Sequence, residues 1–191
     1  MQRGRRELAL VALRQYEEKG FAQTTVEEIA EAADYAPSTF FRHFGTKENA
    51  VFFDIDERMN SYRALMAQST SPGGSGWARV REVLLDNAVY WAESDPEFAL
   101  ARTRLCHKEP ALYTRYLHYC DQVETIVRRV LAADRGTDPD DDIEAGVLAG
   151  AAVAAFRTAL RVWLGEGGRV VDHLQAGLDA LQAGIPSTGS G

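Results

Sequence analysis

Residues 24–48 read TTVEEIAEAADYAPSTFFRHFGTKE, and this stretch decides the fold. Thr25-Val26-Glu27-Glu28 has the form of a capping box. The Thr hydroxyl takes an orphan amide of the first helical turn while Glu28 reaches back to the cap. Val26, Ile29, Ala30 and Ala33 follow at helical spacing. Pro37 suits the first position of a second helix, where its missing N–H costs nothing. Phe40, Phe41 and Phe44 carry that helix to a stop at Gly45. Asp34-Tyr35-Ala36 is the joint between the two. Short helices joined this way form a helix-turn-helix, which offers its second helix to a DNA major groove.

Upstream, Leu8, Ala12 and Tyr16 step by four, with Ala9 and Leu13 beside them. That segment ends at Gly20, with Lys19 in the last turn where the helix dipole favours a cation. Leu8, Ala12, Tyr16, Phe21, Val26, Ile29, Ala30, Phe40 and Phe44 are the expected core of a three-helix domain. Downstream, Thr46 is placed to cap a long helix containing Ala50, Val51, Phe53, Ile55, Met59 and Leu65. The stretch STSPGGSG, Ser69 to Gly76, is the clearest loop. Helices are then expected at about 77–93, 96–107, 110–132, 139–164 and 170–183. No alternating strand pattern occurs. The expectation is an all-α protein: a helix-turn-helix domain at 1–50, a larger helical domain at 51–185, and a tail at 186–191.

The chain has 191 residues, 46% hydrophobic and 26% charged, with a net charge of −7. That composition excludes bulk disorder and collagen. The charge argues against coating nucleic acid by bulk attraction, yet leaves room for a site-specific binder with a few placed cations. Residues 1–50 hold seven of the 21 Lys/Arg and eight of the 28 Asp/Glu, so the acidic excess sits in the later part. Two cysteines, Cys106 and Cys120, do not make a disulfide scaffold, which points to a reducing, cytoplasmic setting. The basic N-terminus lacks an apolar signal core. Ala145 to Phe156, the longest apolar run, is short for a membrane span and reads as a buried helix.

Gly20-Phe21, Thr24 to Ala30, Pro37-Ser38-Thr39-Phe40-Phe41-Arg42-His43-Phe44 and Lys47-Glu48 together resemble the TetR family of bacterial transcriptional regulators, over about residues 5–53. The resemblance implies an N-terminal DNA-binding domain and an all-helical C-terminal domain that dimerises and binds a small effector. It assigns Lys47, at the start of the fourth helix, to backbone phosphate. A first-turn cation opposes the dipole by roughly 0.3–1 kcal/mol, a cost that a neighbouring phosphate would remove. Tyr35, Ser38 and Thr39 stand nearest to bases, with Pro37 in the same DNA-binding set. Thr25 offers a phosphate contact at a helix N-terminus, and Arg42 reaches phosphate. His43 has two readings, contact with DNA or packing on the domain surface. Phe41 stands where the family often has Tyr and is left to pack or touch sugar. Asp34-Tyr35-Ala36 replaces the common Gly-Val-Ser of the turn. Asp tolerates left-handed backbone, but Ala36 cannot cap, so Asp34 becomes the candidate cap for the recognition helix. Arg3, Arg5 and Arg6 form a basic arm that lies along DNA or stays solvated.

Gly146, Gly150 and Ala154, and Leu174, Leu178, Leu181 and Ile185, form stripes on the last two helices. They suit a four-helix bundle across a two-fold axis, as in the family's dimers, or else the domain's own core. Trp91, Phe98, Arg102, Leu105, Tyr116 and Trp163 are candidate walls of an effector cavity. Arg102 or Arg104 could pair an anionic head group or form a surface ion pair. Pro110-Ala111-Leu112 and Trp163-Leu164-Gly165 are loosely similar to a TetR-family branch that binds acyl-CoA-like ligands, which implies an apolar or acyl effector. Cys106, His107, His118 and Cys120 diverge around their helices, and Asp138 to Asp142 splay, so no metal is expected. No nucleophile–base set or phosphate loop occurs, and neither a cofactor nor enzymatic activity is expected. The expected function is a DNA-binding regulator, a repressor released by a small molecule. The alternative is a helical small-molecule-binding protein without DNA-dependent regulation.

Overall fold

The computed structural model describes residues 2–68 and 75–184, without the side chains of Gln2 and Arg3. Ile185, the 186–191 tail, the Arg3 side chain and most of the Ser69–Gly76 loop therefore lie outside the described residues. Among those described there are ten helices and no strand: α1 (Gln2–Lys19), α2 (Val26–Ala32), α3 (Pro37–Phe44), α4 (Lys47–Val51), α5 (Ile55–Ala67), α6 (Gly76–Ser94), α7 (Pro96–Lys108), α8 (Pro110–Arg135), α9 (Ile143–Glu166) and α10 (Val170–Ala183). The fold is all-α, as the periodicity predicts.

Local signals set most boundaries. α1 stops at Gly20, whose φ of 93° suits a residue without Cβ. The capping box is complete: Glu28 N–H donates to Thr25 Oγ1 at 3.2 Å, and Thr25 N–H donates to Glu28 Oε2 at 2.9 Å. Pro37 is the first residue of α3, and Thr46 Oγ1 accepts the Asn49 N–H at 3.3 Å to cap α4.

Two boundaries differ from expectation. The long helix expected after Thr46 breaks at Phe52–Asp54 into α4 and α5. The break follows from three tertiary contacts. Buried Phe52 lies under Arg115, Phe53 meets Phe98 edge-on at 5.2 Å, and Asp54 accepts Arg102 at 2.6 Å. The second difference is at Pro139, which does not open a helix as Pro37 does, since α9 begins at Ile143. Asp138 Oδ1 instead accepts the Asp140 N–H at 2.9 Å, its carbonyl accepts Asp142 N–H at 3.0 Å, and Asp142 caps α9 through the Ala145 N–H at 2.9 Å.

The chain forms two compact units, Met1–Arg58 with Asp95–Tyr116, and Met59–Ser94 with Leu117–Gly191. In the first, α1 packs on α2, α4 and α7, and α3 on α2 and α4. Leu8, Ala12, Tyr16, Phe21, Ile29, Ala30, Phe40 and Phe44 are buried, while Val26 is half-buried. In the second, α10 lies on α9 and α6. A Cβ on Gly177 would stand 3.2 Å from the Ala155 Cβ, so glycine permits this close approach. Arg81 and Asp179 tie α6 to α10 at 2.5 Å.

The stripes expected at a two-fold axis are used largely inside the protomer. Leu174 and Leu178 are 0% exposed. Gly146 and Gly150 face Arg128 and Glu124 of α8, at 3.9 and 3.7 Å from the Cβ positions. Of the α9 stripe Ala154 stays exposed, and on its outer side it is joined by Ile143, 82% exposed, and Val147, 65% exposed. By length and composition α9 is also the one described helix apolar enough to cross a membrane, although only 28% of its apolar window is buried in the protomer.

Candidate nucleic-acid interface

The recognition element is built from the inside out. Phe40 and Phe44 lie on one face of α3, with ring centroids 4.9 Å apart, and anchor it in the core. The opposite face then turns outward. Pro37, Ser38 and Arg42 are exposed and Phe41 is 49% exposed, while Thr39 and His43 are half-buried. Thr39 Oγ1 stands 3.5 Å from Arg42 Nη2. No side chain caps α3, so Asp34 does not take that role. Asp34 instead adopts φ 58° and ends α2. Its N–H reaches Glu31 O at 3.1 Å, and Tyr35 N–H reaches Ala30 O at 2.8 Å, the paired bonds of a Schellman stop.

Tyr35 is half-buried, and its hydroxyl comes within 3.0 Å of where a Cβ on Gly4 would stand. Gly4 is thus the seat of the turn tyrosine, a role without a local sequence signal. Arg5 and Arg6 of the basic arm are engaged within the chain. α1 already begins at Gln2, Arg5 places its guanidinium 5.7 Å from both the Phe44 and Phe53 rings, and Arg6 pairs with Asp95. Desolvation, aided by Arg42, Arg5 and the N-terminus, lowers the His43 pKa and favours the neutral ring.

Without DNA, Lys47 turns its side chain to the chain's own backbone. Its ammonium donates to Phe21 O at 2.7 Å and Thr24 O at 3.4 Å, and sits 4.5 Å from the Phe21 ring centroid. Around it, Tyr16 donates to Lys47 O at 3.1 Å, and Thr24 Oγ1 donates to Gly20 O at 2.8 Å. Burial, reinforced by Glu48, pushes the Tyr16 hydroxyl pKa far up, which keeps it a donor.

The expected effector walls divide between the two units. Trp91 and Trp163 meet edge-on at 5.9 Å, and Phe156, which sequence reasoning missed, joins them at 6.4 Å from Trp91. All three are half-buried. Phe98, Arg102 and Leu105 are buried in the first unit. Arg102, 5% exposed, holds Asp54 and lies 4.9 Å from the Phe98 ring. Tyr116 joins His107 and Tyr113 in an aromatic cluster, with centroids near 6 Å. Arg104 stands exposed, 4.0 Å from Glu17. Among the described residues no group of three or more His, Cys, Asp or Glu is arranged to hold a metal.

A short helix anchored by two phenylalanines, its polar face outward and a capped partner helix behind it, defines a helix-turn-helix DNA-binding protein. Known proteins carry this further. Residues 10–51 match the model of the bacterial regulatory proteins of the TetR family, and residues 75–186 match the MftR C-terminal domain. The chain is 30% identical over 175 residues to the HTH-type transcriptional regulator TcmR of Streptomyces glaucescens, covering 85% of this chain and 74% of that one. SmeT, the repressor of the Stenotrophomonas maltophilia multidrug efflux pump SmeDEF, shares the fold with a TM-score of 0.68 at 16% identity, over 98% and 96% of the two chains. The fatty acid degradation regulator FadR of Bacillus halodurans does so with a TM-score of 0.68 at 15% identity, over 94% and 98%. The chain belongs to the TetR family and is a DNA-binding transcriptional regulator.

Proposed function

We propose that the chain is a cytoplasmic repressor that binds its operator as a homodimer and releases it when a small apolar effector binds. The observation that carries this reading is the outward face of α3, held by the buried Phe40 and Phe44. Thr25, Tyr35, Pro37, Ser38, Thr39, Phe41, Arg42 and His43 form the DNA-facing set. Ser38 and Thr39 lie nearest to base edges; Arg42 and Thr25 reach phosphates; Phe41 packs on sugar. Lys47 belongs with this set as the phosphate contact that the family resemblance implies; without DNA its ammonium rests on the Phe21 and Thr24 carbonyls.

Two recognition helices must meet half-sites about one DNA turn apart, so function requires pairing. The last two helices supply the interface, and the exposed Ile143, Val147 and Ala154 of α9 support that assignment more than the buried leucines of α10 do. The edge-to-edge cluster of Trp91, Phe156 and Trp163 supports an apolar effector wall in the second unit. An effector that weakens DNA binding is itself weakened by DNA to the same factor.

The test is retardation of a duplex carrying the upstream region of the chain's own gene. Sequence-specific retardation that steepens as salt falls is expected. Binding that is indifferent to sequence would refute the regulatory reading. Native mass spectrometry of freshly purified protein identifies any co-purified effector.

A further inference from the structure

We propose that Arg5 is a phosphate-contacting residue of the operator interface. Its guanidinium, seated on the Phe44 and Phe53 rings, gives its free N–H donors to one backbone phosphate beside the last turn of α3. The inference rests on the DNA-binding reading and adds a contact from α1 to those of α2, α3 and α4.

The cations of α1 sort by what they hold. Among its described side chains, Arg6 pairs with Asp95, Arg14 with Glu97 at 2.6 Å and Lys19 with Glu28 at 2.9 Å. Arg5 differs. Among the described residues it holds no carboxylate and no hydrogen-bond acceptor, and its Nε–H is shielded from solvent without one. A paired cation must give up its carboxylate to take a phosphate. An unpaired cation gives up only water, while the phosphate releases its counterion. In a chain of net charge −7, the unpaired cations are the ones ready to meet a polyanion.

Two rings fix where that cation stands. Its Cζ lies 5.7 Å from the centroids of both Phe44, the last residue of α3, and Phe53. Phe44 is buried against Phe40, and Phe53 meets Phe98 edge-on, so neither ring is free to swing. A guanidinium on aromatic faces keeps its in-plane donors for a second partner, and its planar fork matches two phosphate oxygens. Arg5 is half-buried and so not sealed from such a partner. The surroundings belong to the DNA-facing set. One residue back, a Cβ on Gly4 would stand 3.0 Å from the Tyr35 hydroxyl, in the turn before α3. Arg42 and His43 occupy the last turn of α3. Desolvation, then Arg42 and Arg5, lower the His43 pKa, which puts both guanidiniums within electrostatic reach of that ring. Two guanidiniums thus gather at the carbonyl end of α3, where the helix dipole favours cations.

The experiment uses a duplex that the full-length protein selects from a random-sequence pool, with affinity measured against salt concentration. Circular dichroism checks that each variant is folded. Arg5→Met keeps an apolar stem on the rings and removes the charge. For each bound subunit it is expected to weaken binding about tenfold, the scale of one charge-assisted hydrogen bond. The salt slope is expected to fall by about 0.9 per subunit. The selected sequence stays the same, because phosphate contacts carry no base information. Arg5→Lys retains a point charge and keeps the slope. Arg6→Met, whose cation is already paired, leaves the slope unchanged. An unchanged slope in Arg5→Met, or an equal loss of slope in Arg6→Met, would overturn the proposal. A second measurement locates the phosphate: methylphosphonate replaces each phosphate of the duplex in turn and removes its charge. One position in each half-site is expected to weaken the wild type and leave Arg5→Met unaffected. If every position weakens both proteins alike, the contact does not exist. Should Arg5→Met not fold, Arg5→Gln supplies the same two readouts. A wild type that selects no duplex refutes the DNA-binding reading itself; a selected duplex with an unchanged slope refutes the Arg5 contact alone.

Discussion

Asp34 is the described non-glycine residue with positive φ, at 58°, and a substitution series there measures what the turn costs. Holding an L-residue in the left-handed region costs about 1–2 kcal/mol, with Asp toward the lower end. The exposed carboxylate also sits at the negative end of α2, which adds about 0.3–1 kcal/mol. Asp34→Gly removes both terms and loses about 0.5–1 kcal/mol to the greater freedom of the unfolded chain. The net is a stabilisation of about 1 kcal/mol. Asp34→Asn removes the charge alone and gains about 0.5 kcal/mol. Asp34→Ala gains the same but raises the left-handed cost by about 1 kcal/mol, so it destabilises by about 0.5 kcal/mol. At about 2–4 °C per kcal/mol for a chain of this size, Asp34→Gly melts about 2–4 °C higher and Asp34→Ala about 1–2 °C lower than wild type. Thermal unfolding is followed by circular dichroism at one fixed protein concentration, because association contributes to the midpoint. Asp34→Gly melting below wild type, or Asp34→Ala melting together with Asp34→Asn, would refute the reasoning.

The Thr25 N–H, then Lys19, lower the Glu28 pKa to about 2 from 4.5. Because the folded value is depressed, the carboxylate's stabilisation is present above pH 4.5 and lost as pH falls toward 2. Glu28→Gln should flatten that part of an acid titration followed by circular dichroism. Gly177→Val forces methyl groups into the 3.2 Å approach to Ala155 and should destabilise by about 1–3 kcal/mol, read as a lower denaturant midpoint with an unchanged slope. Val147→Asp on the exposed side of α9 should yield a folded monomer in sedimentation velocity; a dimer of undiminished affinity would remove α9 from the interface.

How far the sequence reveals this structure depends on the range of the interaction. The capping box, the Pro37 start and the Gly20 and Gly45 stops join residues a few positions apart, and each lies where its local chemistry predicts. The break between α4 and α5 has no such signal. Ala50 to Ile55 keeps helical spacing, and what ends α4 are Phe98, Arg102 and Arg115, more than forty residues onward. The partners of Lys47 in the DNA-free chain are hidden for the same reason: they are carbonyls, which every residue carries and which leave no trace in side-chain pattern. The Arg102 guanidinium, a candidate for an effector head group, finds its carboxylate in a turn that the periodicity hides. Leu174 and Leu178 form a stripe that is equally apolar whether it faces another copy or its own core; burial alone decides between them.

The linear order of the chain also conceals what the recognition element rests on. α7 follows α4 by more than forty residues, yet it belongs to the same compact unit. Arg6 and Arg14 of α1 pair with Asp95 and Glu97 at its start. Such exposed pairs contribute about 0–1 kcal/mol each and do little to fix a register. The Arg102–Asp54 pair differs, because the guanidinium is buried and losing the carboxylate would strand its charge. Phe98, one helical turn before Arg102, presses edge-on against Phe53, the residue before Asp54. Arg115, from the start of α8, covers Phe52. Three consecutive residues of the α4–α5 turn are therefore each held by a different side chain of α7 or α8. α7 cannot slide by a turn without breaking the Asp54 pair and the Phe53 contact together. The α4–α5 turn and α7 hence move as one body or pay the separation of a buried charge, and α4 carries that constraint directly to α1 and α3.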